Sequence, residues 1–128
     1  MRKILLIDDD PAFTRFLGEY IADNFPLLKV EICNNPMSAL RSIKVGTYDL
    51  MLVDLEMPAM DGLKLLKFAV NAGMDKNRIV ILSGRDADFL HDVCPMGTCL
   101  AVLNKFEARQ KSVLDMVFNS LNQKAEAN

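Results

Sequence analysis

The chain has 128 residues, of which 51% are hydrophobic and 25% are charged, and its formal net charge is −2. This size and composition predict one globular domain and argue against a disordered chain. The weak negative charge gives no support for direct binding to nucleic acid or to an anionic membrane surface. No apolar run approaches the roughly 20 residues that a membrane-spanning helix needs. Three cysteines without a C-x-x-C pair predict reduced, mostly buried thiols and a cytoplasmic location.

Five strand-like runs alternate along the chain with segments of helical periodicity, and this alternation predicts five β/α units. The predicted strands are Lys3–Ile7, Lys29–Ile32, Leu50–Val53, Ile79–Leu82 and Leu100–Leu103. Capping residues and prolines predict where the helices start. The predicted helices begin at Asp10-Pro11, Asn35-Pro36 and Asp61-Gly62, and two more cover Asp86–Val93 and Glu107–Leu121. We expect the domain to span residues 1–123, followed by a polar tail over residues 124–128.

The order of these units predicts a doubly wound parallel sheet, because β-α-β crossovers are right-handed and join parallel strands. The second strand alternates polar and apolar residues, which is typical of a strand at the edge of a sheet. The first and third strands, which are apolar except for Lys3, are then central neighbours. Asp8 and Asp9 follow the first strand and Asp54 follows the third, so we expect these three acids at the same edge of the sheet.

The acids at this edge predict a site for a hard divalent cation, since crowded carboxylates repel one another until a cation or a proton neutralises them. The fourth strand is followed by Ser83, a hydroxyl donor, and the fifth by Lys105, an ammonium. Together these groups suit phosphoryl transfer. The cation and Lys105 would neutralise the phosphoryl oxygens, Ser83 would donate a hydrogen bond to one of them, and Asp54 would be the nucleophile.

This set of residues resembles the receiver domain of two-component response regulators. The resemblance is carried by Asp8-Asp9, by Asp54 within Asp-Leu-Glu-Met-Pro-Ala-Met-Asp-Gly, and by Ser83 and Lys105. It covers essentially the whole chain. It implies a flavodoxin-like three-layer α/β sandwich with strand order 2-1-3-4-5.

The resemblance also implies a function. Asp54 would accept a phosphoryl group from a phosphohistidine on a sensor histidine kinase or on a phosphotransfer protein. A magnesium ion would be held by Asp8, Asp9, Asp54 and the backbone carbonyl of Glu56, with Asp9 and Asp54 as the direct side-chain ligands. Phosphorylation would shift the chain between two conformations, so the protein would be a signalling switch rather than a conventional enzyme. The output partner stays unidentified, and a homodimer stays an open alternative.

Two positions depart from the pattern of the family. Receivers usually carry an aromatic residue three positions before the lysine, and this chain has Val102 there. The lysine is usually followed by proline, often through a cis bond, whereas Phe106 follows Lys105. We expect a trans bond here, because a cis bond before a residue other than proline costs about 2.5–4 kcal/mol.

Two charged residues flank the predicted site. Glu56 lies two positions after Asp54, and Arg85 lies two positions after Ser83. We predict that Glu56 and Arg85 form an ion pair across the mouth of the site. Our hypothesis is that this pair hinders an attacking water molecule and prolongs the lifetime of the phosphoryl group.

Alternative functions remain open at this stage. A degenerate receiver would act as an interaction module without phosphorylation. Val102 and Phe106, which depart from the family pattern, are consistent with that hypothesis. A phosphatase of the haloacid-dehalogenase type would carry a second aspartate two residues after its nucleophile, where this chain has Glu56. Flavin binding is disfavoured, because acids after the first strand would repel a phosphate.

Overall fold

The structure is a computed structural model that describes residues 1–127, except for the side chains of residues 108–110 and 127. Within this described part, β-strands and α-helices alternate as predicted. They are β1 (Arg2–Ile7), α1 (Pro11–Asn24), β2 (Leu28–Cys33), α2 (Pro36–Val45), β3 (Leu50–Asp54), α3 (Gly62–Asn71), β4 (Ile79–Ser83), α4 (Ala87–Val93), β5 (Ala101–Asn104) and α5 (Ala108–Ala127). A short 3-10 helix over Lys76–Arg78 precedes β4 and was not predicted.

The strands form one parallel sheet in the order β2-β1-β3-β4-β5, which confirms the predicted order. The register aligns Ile7 at the end of β1 with Val53 of β3. It also aligns Asp54 with Leu82 of β4. The residues that follow these strands therefore meet at the carboxyl edge of the sheet, where parallel α/β proteins place their binding sites.

Helices cover both faces of the sheet and complete the predicted three-layer sandwich. Alternate strand residues point to opposite faces, so the apolar strands supply two separate cores. One core contains Leu5, Met51 and Ile79 together with residues of α2, α3 and α4. The other contains Leu52 together with residues of α1 and α5, among them the fully buried Phe118.

Capping side chains fix the starts of four helices, because each accepts a backbone N–H group of the first turn. The first three helices start where the sequence predicts, whereas α4 starts one residue later than predicted, at Ala87. The capping residues are Asp10, Asn35, Asp61 and Asp86. The end of α5 differs from the prediction, since the helix continues to Ala127 rather than ending at Leu121. Residues 123–127 read Gln-Lys-Ala-Glu-Ala and are all strong helix formers, which explains the extension. Asn128, the last residue of the predicted tail, lies outside the described residues.

Buried polarity is concentrated at one end of the molecule. Among the described residues, the buried polar or charged side chains are those of Asp8, Thr14, Asp54 and Ser83. All four lie at or beside the carboxyl edge of the sheet.

None of the described helices has the length and apolar character needed to cross a membrane.

Candidate functional site

Three carboxylates meet where β1 and β3 end. Asp8 is fully buried, Asp54 is 5% exposed and Asp9 is exposed. One carboxylate oxygen from each residue can be chosen so that the three oxygens lie within 4.8 Å of one another. The structure thus brings together the three acids that the sequence predicts for a cation site. Carboxylate oxygens at this spacing are the ligands that a hard cation such as magnesium prefers.

The Lys105 side chain enters this cluster from the loop after β5. Its Nζ lies 2.5 Å from Asp8 Oδ2 and 3.3 Å from Asp54 Oδ1. The backbone N–H of Lys105 donates to the carbonyl of Ser83 at 2.9 Å, which ties the loop to the end of β4. The Nζ also lies 4.6 Å from the centre of the Phe13 ring on α1, a favourable cation–π contact. Lys105 is therefore aimed at the nucleophile that the sequence predicts.

The charges of Asp8, Asp54 and Lys105 shift the pKa values of Asp54 and Lys105. Burial and the neighbouring Asp8 carboxylate raise the pKa of Asp54 to about 6, although the Lys105 ammonium acts in the opposite direction. Burial alone would lower the pKa of Lys105, but its bonds to Asp8 and Asp54 raise that pKa above its usual value. Lys105 is therefore a cation, while Asp8 and Asp54 share it. The excess of negative charge favours a bound cation.

Ser83 and Glu56 are in direct contact at the mouth of the site. The fully buried Ser83 Oγ donates to Glu56 Oε1 at 2.8 Å and accepts the backbone N–H of Arg85 at 3.0 Å. The predicted Glu56–Arg85 ion pair is present, with 3.6 Å between Arg85 Nη1 and Glu56 Oε2. The Arg85 guanidinium also lies 3.8 Å from the centre of the Phe89 ring on α4. Sequence analysis did not predict the contact between Ser83 and Glu56.

Three polar side chains support the site and were not singled out from the sequence. Asn34 Nδ2 donates to the carbonyl of Asp8 at 2.8 Å and to Thr14 Oγ1 at 2.9 Å. Asn104 Nδ2 donates to the carbonyl of Arg85 at 2.8 Å. These bonds join loops that are distant in the sequence. The only sequence feature that could have indicated these bonds is an asparagine next to a strand end, and that feature is weak evidence.

A glycine allows α3 to approach the end of β3. A Cβ atom at Gly62 would lie 2.4 Å from the backbone oxygen of Asp54, closer than any real contact. The N–H of Gly62 donates to the carbonyl of Leu55 at 2.8 Å. Asp61 caps α3 through the N–H of Lys64, as predicted for a helix start. Gly62 thus holds the loop after Asp54 closely against the helix.

The two positions that depart from the expected pattern lie beside the site. Val102 on β5 is partly buried, and Phe106 is 79% exposed. Among the described residues no peptide bond is cis, so the bond between Lys105 and Phe106 is trans as expected. The Phe106 N–H donates to Asn104 Oδ1 at 2.7 Å, a bond that proline could not make.

A comparison with protein families shows the family of the chain. The profile of the response regulator receiver domain matches residues 4–116. The chain belongs to the response regulator receiver family. The match confirms the resemblance that the sequence motifs carry, and the sheet order and the acidic cluster of this receiver agree with it.

Curated relatives are longer than this receiver. It is 26% identical over 127 residues to the probable C4-dicarboxylate response regulator DctR of Bacillus subtilis, covering 98% of the receiver and 56% of DctR. It is 34% identical over 86 residues to the transcriptional regulatory protein YhcZ of the same species, covering 67% of the receiver and 40% of YhcZ. A protein-glutamate methylesterase/protein-glutamine glutaminase of Dechloromonas aromatica matches at 29% over 65 residues, which is 51% of the receiver and 18% of that protein.

Solved structures share the fold of this receiver. The receiver domain of the Francisella response regulator 1452 is 24% identical, with a TM-score of 0.72 over 97% of this chain and 98% of that one. A CheY-like receiver protein of Methanospirillum hungatei is 22% identical, with a TM-score of 0.73 over 100% and 99%. The receiver domain of a sensor histidine kinase of Pseudomonas aeruginosa, with magnesium coordinated in its active-site cleft, is 20% identical, with a TM-score of 0.75 over 95% and 98%.

Proposed function

We propose that this receiver is a phosphorylation switch in which Asp54 accepts a phosphoryl group from a phosphohistidine. The observation that supports this function most directly is the convergence of Lys105 on Asp8 and Asp54, 2.5 Å and 3.3 Å from their carboxylate oxygens. A carboxylate held beside an ammonium and two further acids has the parts that phosphoryl transfer needs.

The transfer moves a phosphoryl group from nitrogen to oxygen. A carboxylate oxygen of Asp54 attacks the phosphorus atom, the phosphorus–nitrogen bond of the donor breaks, and the histidine nitrogen keeps the electron pair. Lys105 neutralises part of the charge on the phosphoryl oxygens, and Ser83 donates a hydrogen bond to one of them once its hydroxyl is free. The product is an acyl phosphate on Asp54.

A magnesium ion fits the donor set of this site. We propose that Asp8, Asp9, Asp54 and the backbone carbonyl of Glu56 hold it, with Asp9 and Asp54 as the direct side-chain ligands. The support is the spacing of the three carboxylates within 4.8 Å. A bound magnesium ion would supply positive charge to the phosphoryl oxygens.

The proposed partner is a sensor histidine kinase or a histidine phosphotransfer protein. A segment of the histidine kinase BarA of Escherichia coli is 33% identical over 61 residues, which is 48% of this chain and 6% of BarA. The phosphorylated form would act on a further protein or on an output domain, so we propose a switch without turnover of a metabolite. The free cysteines among the described residues agree with a cytoplasmic location.

The test is intact-mass analysis after incubation with magnesium and acetyl phosphate. We expect one phosphoryl adduct that requires magnesium and is lost in Asp54→Ala. Asp23→Ala is the matched control, since Asp23 is exposed in the last turn of α1, away from the site. An adduct of equal yield on Asp54→Ala would contradict the assignment of the nucleophile. A folded wild-type chain that gains no adduct from acetyl phosphate or from kinases would instead favour the interaction module.

A further inference from the structure

The Ser83 hydroxyl, which should contact the phosphoryl group, already forms hydrogen bonds with other residues in the unphosphorylated chain. Ser83 Oγ donates to Glu56 Oε1 at 2.8 Å and accepts the N–H of Arg85 at 3.0 Å. A serine hydroxyl carries only one proton, so Ser83 has no second proton to donate to a phosphoryl oxygen. The bond to Glu56 must break before Ser83 reaches the phosphoryl group.

The competition is between two anions for one donor. The Glu56 carboxylate and a phosphoryl group on Asp54 both accept hydrogen bonds and repel each other. A buried hydroxyl without a partner is costly, and Ser83 is fully buried, so it must bond to one acceptor or the other. Hydrogen bonds to a charged acceptor are about twice as strong as those between neutral groups. Breaking the hydrogen bond between Ser83 and Glu56 therefore costs free energy, and this cost opposes the phosphorylated state.

Glu56 has a second partner that remains after Ser83 leaves. Its Oε2 lies 3.6 Å from Arg85 Nη1, and the Arg85 guanidinium is positioned over the Phe89 ring at 3.8 Å. This partner is on the loop that follows Ser83, so the released carboxylate needs to move only a short distance. Arg85 then remains as the ion-pair partner of the Glu56 carboxylate.

We propose that Glu56 is a latch that holds the Ser83 hydroxyl in the resting state and thereby opposes the phosphorylated state. Glu56 is a positioning residue in this role, because it acts on the phosphoryl group through Ser83. The inference rests on the proposed phosphorylation of Asp54 and extends it. It is distinct from the hypothesis that the Glu56–Arg85 pair excludes water, since the latch affects formation of the phosphorylated state as well as its lifetime.

The test measures binding of beryllofluoride, a phosphoryl analogue, at saturating magnesium by titration calorimetry. Loss of the latch in Glu56→Ala should tighten binding about tenfold, the strength of one charge-assisted hydrogen bond. Glu56→Gln keeps a neutral acceptor for Ser83, so we expect a smaller gain of about threefold. Both variants retain the backbone carbonyl at this position, and magnesium affinity is measured separately for each.

A double-mutant cycle separates the latch from simple charge repulsion. In a Ser83→Ala background there is no hydroxyl to hold, so Glu56→Ala should then change the affinity by less than about twofold. Equal gains from Glu56→Ala and Glu56→Gln, or a full gain in the Ser83→Ala background, would overturn the latch. If the wild-type chain itself binds no beryllofluoride with magnesium, the proposed function fails and the latch with it. An unchanged affinity in Glu56→Ala, beside a wild type that binds, would overturn the latch alone.

Discussion

At the scale of single residues, the site contains more buried negative charge than its lysine neutralises. Lys105 is shared by Asp8 and Asp54 but lies closer to Asp8, at 2.5 Å against 3.3 Å. Asp54 is therefore the less well compensated of the two, which agrees with the upward shift of its pKa by burial and by Asp8. We therefore expect the incompletely neutralised Asp54 carboxylate to lower the stability of the fold when no cation is bound.

The first prediction follows from this imbalance. Asp54→Asn removes one buried charge with little change of shape and leaves a neutral Asp8–Lys105 pair. Without magnesium, we expect the variant to be more stable than the wild type by about 1 kcal/mol or more, since isolated buried charge destabilises a fold. Thermal unfolding in a chelating buffer measures the difference, and Asp23→Asn is the exposed control.

Magnesium should reduce this difference in stability between the wild type and Asp54→Asn. A ligand that binds only the folded state raises its stability, so magnesium should raise the Tm of the wild type more than that of Asp54→Asn. A variant that is less stable than the wild type in the chelating buffer would show that Asp54 is fully compensated by Lys105.

At the scale of secondary structure elements, the contact between β3 and α3 defines the loop that follows Asp54. The second prediction concerns Gly62, where a Cβ would meet the backbone oxygen of Asp54 at 2.4 Å. We expect Gly62→Ala to destabilise the fold by about 1–3 kcal/mol, because backbone must shift to make room. Denaturant unfolding measures the loss.

Gly18→Ala provides the matched comparison within a helix. A Cβ at Gly18 meets only the end of the flexible Ile32 side chain, at 3.1 Å. The change adds helix propensity to α1, so we expect a neutral or stabilising effect. Similar losses in both variants would mean that the close approach at Gly62 has no special importance.

Elements and site residues differed in how well the sequence predicted them. Four strands were predicted from apolar runs that end in polar residues and the second from its alternating pattern, and each agrees with the structure to within one residue at either end. The acids and Lys105 were predicted because parallel strand ends meet at one edge. The Asn34–Thr14 and Ser83–Glu56 bonds join residues 20 and 27 positions apart. They depend on loop conformations and rotamers, which local sequence patterns do not determine.

At the scale of the whole molecule, the C-terminal part of α5 is hydrogen-bonded to the loop that precedes β2. Asn122 Oδ1 on α5 accepts the N–H of Leu27 at 3.1 Å, just before β2. Beyond it, Gln123, Lys124 and Glu126 are exposed. The predicted domain boundary at residue 123 therefore falls within α5, which continues to Ala127.

The third prediction tests that boundary by truncation. A chain that ends at Gln123 should unfold within about 0.5 kcal/mol of the full chain, since exposed residues contribute little. A chain that ends at Leu121 loses the bond from Leu27 to Asn122 and should be less stable by about 1 kcal/mol. Asn122→Ala in the full chain separates this bond from the loss of helix length. A large loss on removing only residues 124–128 would move the boundary.

The gathering of the buried polar side chains at one edge has a consequence for mutational tolerance. Substitutions in the apolar layers should lower the amount of folded protein, whereas under the proposed function conservative substitutions at Asp54 should leave folded protein that gains no phosphoryl group. A library of variants can be scored separately for protein abundance and for phosphorylation. We expect the positions that affect abundance to lie in the apolar layers and those that affect only phosphorylation to lie at the carboxyl edge of the sheet. Within β3 the two classes would change between neighbouring residues, from Val53 to Asp54.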